Sequence, residues 1–263
     1  MKEEAVMKKV MHVLYAVLVV TVMMMAAFPV AAGEKGAAGH EWSYEGEHGP
    51  AHWGDLRSDY AVCKTGKNQS PIDITNTVKA DLPLIQFSYK VCSLRIINNG
   101  HSIQVNYPEG SFITVGGKQY QLIQFHFHHP SEEKINGKNF DMVAHLVHKD
   151  AEGKLAVVAV LMKKGQASAF IKTLWEHLPK EEGMEEVLAN VMIDPSGVLP
   201  SQRAYYTFTG SLTTPPCTEG VTWFVLKAPV ELSDAQISRF THFYKHNARP
   251  VQSLGGRVVS ESR

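Results

Sequence analysis

"QFHFHHPSE", residues 124–132, is the stretch from which the rest of the chain can be read. In a strand, alternate side chains share a face, so Gln124, His126 and His128 point one way while Phe125 and Phe127 point the other. The phenylalanines then take the core side and the histidines line a cleft. Two imidazoles two strand positions apart, with Cα atoms roughly 6.6–6.8 Å from each other, can converge on one ion. Zinc chemistry also needs a third protein ligand and an open position. "MVAHLVH" (142–148) offers the ligand. There His145 shares a face with Val143 and Val147, and the hairpin-like connection "PSEEKINGKNF" (130–140) would lay its strand antiparallel beside the first. Taken alone, a His-x-His in a strand is more often just a polar face. An apolar tract, a third histidine and a carboxylate at Glu132 shift the balance to a metal. His129 and His148 point away by alternation and are assigned to structure or surface.

Strands dominate the surroundings. "SIQVNY" (102–107), "SFITV" (111–115), "QLIQFHFH" (121–128), "DMVAHLVHK" (141–149), "LAVVAVLMK" (155–163), "YYTFTG" (205–210) and "VTWFVLK" (221–227) are short, β-branched or aromatic, and punctuated by Gly, Pro and Asn. Helical spacing is confined to "SAFIKTLWEHL" (168–178) and "SDAQISRFTHFY" (233–244), the second with Ser233 and Asp234 as cap candidates. The pattern predicts one β-dominated domain of mixed structure, an antiparallel sheet with helices at its surface.

The N-terminus is read differently. Lys8 and Lys9 precede an apolar run from Val10 to Phe28, and "PVAAG" supplies small residues for cleavage after Ala32, so residues 1–32 are expected to be a signal peptide. The run is nearly long enough to span a bilayer, and an uncleaved anchor is the alternative. Residues 33–41 form a glycine- and alanine-rich lead-in, and 42–263 one domain. The chain carries 26 basic and 26 acidic residues; cleavage removes Lys2, Lys8, Lys9, Glu3 and Glu4 and leaves a net charge of −1. Such a balance gives no reason to expect nucleic acid or an anionic membrane as partner. Export places Cys63, Cys92 and Cys217 where a disulfide can form, as one pair and one leftover. Their spacing fits no zinc-thiolate site, so a metal must rely on histidine.

In their order and spacing, "NQSPIDI" (68–74), "NNGH" (98–101), "QFHFH" (124–128), "AHLVH" (144–148), "GSLTTPPCTEGVTW" (210–223) and "NARPVQ" (247–252), with "HGPAHW" (48–53) before them, resemble the α-class carbonic anhydrases of bacterial type over residues 42–259. The resemblance implies a central, mostly antiparallel ten-stranded twisted sheet with peripheral short helices. It also implies one zinc ion per chain and reversible hydration of carbon dioxide to bicarbonate and a proton. His126, His128 and His145 are then the zinc ligands; three neutral imidazoles leave the ion its full charge, which acidifies a bound water.

On the same resemblance, Thr213 accepts a hydrogen bond from the nucleophile and passes its own proton to Glu132. A hydroxyl has one donor, so a threonine engaged this way can only accept, which orients the nucleophile and selects protonated anions. Thr214 is the bicarbonate contact. Val147, Val157, Leu212, Val221 and Trp223 match the apolar wall for carbon dioxide, although without the family each reads as core. "TTPP" reads equally as a rigid turn, since Pro215 and Pro216 restrict the backbone that holds both hydroxyls. Gln124 fits as acceptor for His126, and a backbone carbonyl near Asn247 for His128. His101 matches the proton shuttle, with Asn99 and Gln104 as polar neighbours; by itself it reads as a surface histidine after a turn.

Equivalent cysteines are bridged in the bacterial relatives, which implies a Cys63–Cys217 disulfide with Cys92 free. Inhibitory anions and sulfonamides are the expected ligands, a homodimer is compatible, and no membrane contact is expected after cleavage. The location is periplasmic if the cell is Gram-negative and otherwise extracellular.

Two positions depart from the family. Val143 stands where many members have a glutamate accepting from the third ligand, so water, another side chain or backbone must replace it. Glu133 stands where histidine is frequent, and local repacking without loss of chemistry is expected. Three readings compete: a cupin, in which Glu132 would itself be a ligand but whose second motif is missing; a catalytically dead binding module, which usually lacks a ligand histidine; and a closed structural zinc site, for which no fourth ligand is evident.

Overall fold

Continuous apolar runs and alternating ones sort themselves into the middle and the flanks of one sheet. The computed structural model describes residues 41–263. The expected signal peptide and all of the lead-in except Glu41 lie outside the described residues. Glu41 is anchored, accepting hydrogen bonds from Arg57 and from the Tyr60 hydroxyl.

The strands are β1 (Asp73–Ile74), β2 (Val78–Ala80), β3 (Gln86–Ser88), β4 (Cys92–Asn98), β5 (Ile103–Asn106), β6 (Phe112–Val115), β7 (Lys118–His128), β8 (Lys134–Ile135), β9 (Lys138–Asn139), β10 (Met142–Lys149), β11 (Leu155–Lys164), β12 (Glu185–Ile193), β13 (Tyr205–Ser211), β14 (Glu219–Leu232) and β15 (Ser260–Ser262). Among the described residues four short α-helices accompany them: α1 (Trp53–Leu56), α2 (Val62–Thr65), α3 (Ala169–Trp175) and α4 (Asp234–Thr241).

The large sheet has 12 strands, ten of them on the path β12-β4-β5-β7-β10-β11-β14-β13-β15-β2, with β6 pairing β7 and β3 beside the path. It is a mixed sheet, which corrects the expectation of a mostly antiparallel one: β11 pairs β14 and β15 pairs β2 in parallel. The first of these is physically reasonable, because "LAVVAVLM" is buried on both faces, as parallel strands require. Pro229, which cannot donate to a ladder, lies where the β11–β14 register shifts, between the pairs Val160↔Leu226 and Met162↔Val230.

Alternation divides the core in two. Phe125, Phe127, Ala144, Leu146, Val158, Val160 and Leu226 face one cluster, which Ile171, Leu174 and Trp175 of α3 and Ile237 and Phe240 of α4 join. Ser233 caps α4 through a capping box with Gln236, while Asp234 is its first helical residue. Trp175 Nε1 donates to Gln236 O at 2.9 Å and ties the two helices together. The opposite face carries Val143, Val147, Val157, Ala159, Leu161, Val221, Trp223 and Val225. On that face the histidines of β7 and β10 are set.

Candidate metal centre

β7 and β10 pair antiparallel with His126 directly opposite His145, and His128 opposite Val143. Phe125 and Phe127, which alternate with the β7 histidines, are fully buried on the other side. One nitrogen from each of His126, His128 and His145 lies within 4.8 Å of the other two. In each ring the remaining nitrogen is held. His126 Nδ1 donates to Gln124 Oε1 at 2.8 Å, His128 Nδ1 to the Asn247 carbonyl at 2.7 Å, and His145 Nε2 to Glu133 Oε1 at 2.9 Å. His128 Nε2 is buried with no hydrogen-bond partner. A lone pair so placed, among three nitrogen donors, fits a zinc ion, which prefers imidazole and a low ligand count.

Electrostatics separate the three rings. Burial, then the proximity of His145, pulls His126 down to about 3, and burial pulls His128 well below the usual histidine range. Both are therefore neutral at pH 7, as a ligand must be. Burial also acts to lower His145, but the charge and hydrogen bond of Glu133, with the charge of Glu132, outweigh it and leave His145 raised. Burial pushes Glu132 up to about 7, helped by Glu133 and opposed by His145, the Thr213 hydroxyl and the Arg249 amide.

Glu132 Oε1 accepts from the Arg249 backbone N–H at 2.7 Å, and its carboxylate oxygens lie 3.6 Å from His128 Nδ1 and 3.8 Å from His145 Nδ1. It therefore stands beside His128 on the side of the nitrogen bonded to Asn247, not on that of the free Nε2. Thr213 is buried and Thr214 half-buried on the turn where the Cys217 amide donates to Thr214 O at 2.9 Å. Val147, Val157, Val221 and Trp223 belong to one apolar cluster, and Leu212 packs against it. Trp223 lies edge-on to His145 with ring centroids 4.9 Å apart.

His101 follows the "NNG" turn, its amide bonded to Asn99 Oδ1, and its ring stacks on Trp42 with centroids 3.6 Å apart. Asn99 Nδ2 donates to Gln104 Oε1. Cys63 and Cys217 form a disulfide, and Cys92 is free. His148 is fully buried and bonded to the Tyr89 hydroxyl at 2.9 Å, so its place is in the core and not at the surface. Glu133, where local repacking without loss of chemistry is expected, is bonded to His145.

Three residues escaped the sequence reading. Trp42 supports His101 and stood unremarked at the domain's first position. Arg249 lies inside the quoted "NARPVQ" and is 2 % exposed. Its guanidinium donates to Gln69 Oε1, Ser70 O and Cys63 O. A buried arginine beside a single proline and outside any strand or helix leaves no periodic signal. Glu133 lies in the polar run "HHPSEEKINGKN" (128–139), which gives no sign that its carboxylate is buried.

The eukaryotic-type carbonic anhydrase family model matches residues 48–263. A carbonic anhydrase of Neisseria gonorrhoeae is 46% identical over 242 residues, covering 91% of this chain and 95% of its own. The α-carbonic anhydrase of Thermovibrio ammonificans, solved with the inhibitor sulfanilamide, superposes with a TM-score of 0.81 at 44% identity, over 83% of this chain and 98% of that one. A hyperthermostable carbonic anhydrase from an active hydrothermal vent chimney gives a TM-score of 0.82 at 47% identity, over 84% of this chain and 100% of its own. A mixed sheet with three convergent imidazoles on one face defines a histidine cluster that could hold a metal ion. The chain belongs to the eukaryotic-type, or α-class, carbonic anhydrase family, and its activity is that of a carbonic anhydrase.

Proposed function

We propose that one zinc ion per chain is held by His126, His128 and His145, and that the site hydrates carbon dioxide reversibly to bicarbonate and a proton. The observation that carries the reading is the convergence of three imidazole nitrogens within 4.8 Å while the other nitrogen of each ring is bonded to an acceptor. Zinc, when bound, supplies a Lewis acid that yields a hydroxide nucleophile from water at neutral pH. The protein's own residues do the rest. Thr213 gives its proton to Glu132 and can then only accept, which fixes the direction of the nucleophile's lone pair. Glu132 is held for that task by the Arg249 amide. Val147, Val157, Leu212, Val221 and Trp223 offer carbon dioxide an apolar wall, and Thr214 contacts the charged product. His101 carries the proton to solvent. Sulfonamides and small anions are the inhibitors the site would take.

We also propose that residues 1–32 are a cleaved export signal, with the mature protein periplasmic or secreted. Support comes from the charged-then-apolar N-terminal pattern and from a disulfide, which oxidising compartments favour. Among the described residues no helix is long and apolar enough to cross a membrane.

Metal analysis combined with stopped-flow carbon dioxide hydration tests the centre. His145→Ala is expected to lose both zinc and activity, while the exposed His242→Ala keeps both. His148→Ala is expected to retain zinc but lose about 2–4 kcal/mol of stability, because it empties a buried site. Iron in the purified protein, or equal loss of metal from all three variants, overturns the assignment.

A further inference from the structure

Glu133 takes no part in the reaction just described, yet it is fully buried and its Oε2 has no hydrogen-bond partner. Its Oε1 lies 2.9 Å from His145 Nε2. A carboxylate oxygen accepts, so the imidazole is the donor. In the neutral ring that places the hydrogen on Nε2 and the lone pair on Nδ1. His145 has no such partner on its own strand. The side chain two residues earlier on the same face is Val143, which is fully buried in the apolar cluster and can accept nothing.

The backbone that carries Glu133 is fixed independently of the histidine. Ser131 Oγ donates to Glu133 O at 2.7 Å and accepts from the Phe140 amide at 2.9 Å. Asn139 Nδ2 donates to Ser131 O at 2.6 Å, and the Lys134 amide to Ile72 O at 3.3 Å. The turn after β7 therefore delivers a carboxylate to a ligand on β10 from outside that strand. The three acceptors also differ in kind: a side-chain amide for His126, a backbone carbonyl for His128, and a carboxyl group for His145 alone.

We propose that Glu133 is the positioning residue of His145, fixing the Nε2–H form of the ring so that Nδ1 is presented to the metal, in place of an acceptor at position 143. The inference rests on the metal-site reading above. A carboxylate in this role makes the imidazole a stronger donor and restrains its rotation, and losing such a partner typically weakens metal binding 10- to 100-fold.

The test uses the full chain with 15N-labelled histidine, together with Glu133→Gln and Glu133→Ala. Imidazole nitrogen shifts identify the tautomer of His145 in the metal-free protein, competition with dipicolinate gives zinc affinity, and thermal unfolding in chelator gives metal-free stability. The expected result is an Nε2–H ring in the wild type. Zinc affinity should fall about 10- to 100-fold in Glu133→Ala and less in Glu133→Gln, which keeps an oxygen acceptor without its charge. Wild-type zinc affinity in both variants overturns the proposal, as does a wild-type ring with its hydrogen on Nδ1. A merely structural Glu133 would lower metal-free stability and leave zinc affinity unmoved. Should the variants fail to fold, the wild-type tautomer decides. A wild type that binds no zinc would overturn the metal-site reading, while the tautomer would still report on Glu133.

Discussion

At the scale of single residues, the proton sets the demand on His101. An acid of pKa about 7, the value familiar from carbonic anhydrase itself, gives its proton to water only about 10³ times per second when recapture runs near 10¹⁰ M⁻¹s⁻¹. Faster turnover needs a relay of similar pKa, and histidine is the side chain that matches. Stacking on Trp42 sets the ring in place. His101→Ala is expected to lower kcat by an order of magnitude or more with kcat/KM nearly unchanged, because attack on carbon dioxide precedes proton release. Imidazole buffer should restore much of the loss. An equal fall in both parameters with no rescue would mean that His101 acts in binding or folding. Asn247 is a second residue whose every polar group is engaged. Its carbonyl takes His128 Nδ1, its Oδ1 takes the His129 amide, and its Nδ2 donates to His101 O and Phe127 O. Asn247→Ala removes the side-chain partner of three backbone groups, two of them part-buried and one buried, and is expected to cost about 1–3 kcal/mol, measured by denaturant unfolding.

At the scale of elements, the β10–β11 hairpin is fastened by Asp150. Its Oδ1 accepts from the Glu152 and Lys154 amides, and its Oδ2 pairs with Lys118 Nζ. The hydrogen bond with Lys118, aided by the backbone amides and opposed by burial, holds its carboxyl below the usual aspartate value of 3.8. A depressed carboxylate stabilises the fold above its unfolded pKa and loses that contribution as pH falls through the folded one. Asp150→Asn should therefore melt below the wild type at pH 6, with the difference closing as pH falls below 3.8 and on through the depressed folded value; a gap that persists once the carboxyl is protonated would assign the effect to packing. The same scale shows what could be read in advance. β7, β10 and β11 follow from alternation or from unbroken apolar runs, because their surroundings impose one environment per face. β4 carries its signal too, with Leu94 and Ile96 alternating against Ser93 and Arg95. β12 does not. It is an end strand, largely exposed, with a register shift between Leu188 and Met192, so no face is uniform enough to write a period into the sequence. Glu133 escaped for another reason: its partner is 12 positions away, and local pattern carries no information about a contact across a turn.

At the scale of the whole molecule, the Cys63–Cys217 bridge spans 154 positions. Closing so long a loop in the unfolded chain contributes about 5 kcal/mol in the chain-entropy model, an upper estimate. Reduction under native conditions, followed by guanidinium unfolding, should lower stability by several kcal/mol and leave zinc stoichiometry intact. Loss of zinc on reduction would mean that the bridge holds the centre itself together. The family motifs made the active-site elements recognisable, but not the route by which distant ends support them. Arg249 is where those ends meet: its guanidinium binds the chain at Cys63, Gln69 and Ser70, and its amide binds Glu132.

That amide gives the molecule a built-in clock. The Arg249 N–H is buried and points at a buried carboxylate, so its hydrogen can exchange with deuterium only when this part of the structure opens to solvent. The exchange time of this one proton therefore measures how long Glu132 stays shut from water. In the intact, oxidised protein it should match the slowest amides of β10 and β11, and after reduction of the bridge it should shorten with them. If it exchanged much faster than the core strands, the C-terminal loop would be opening on its own, exposing the carboxylate while the sheet stayed folded.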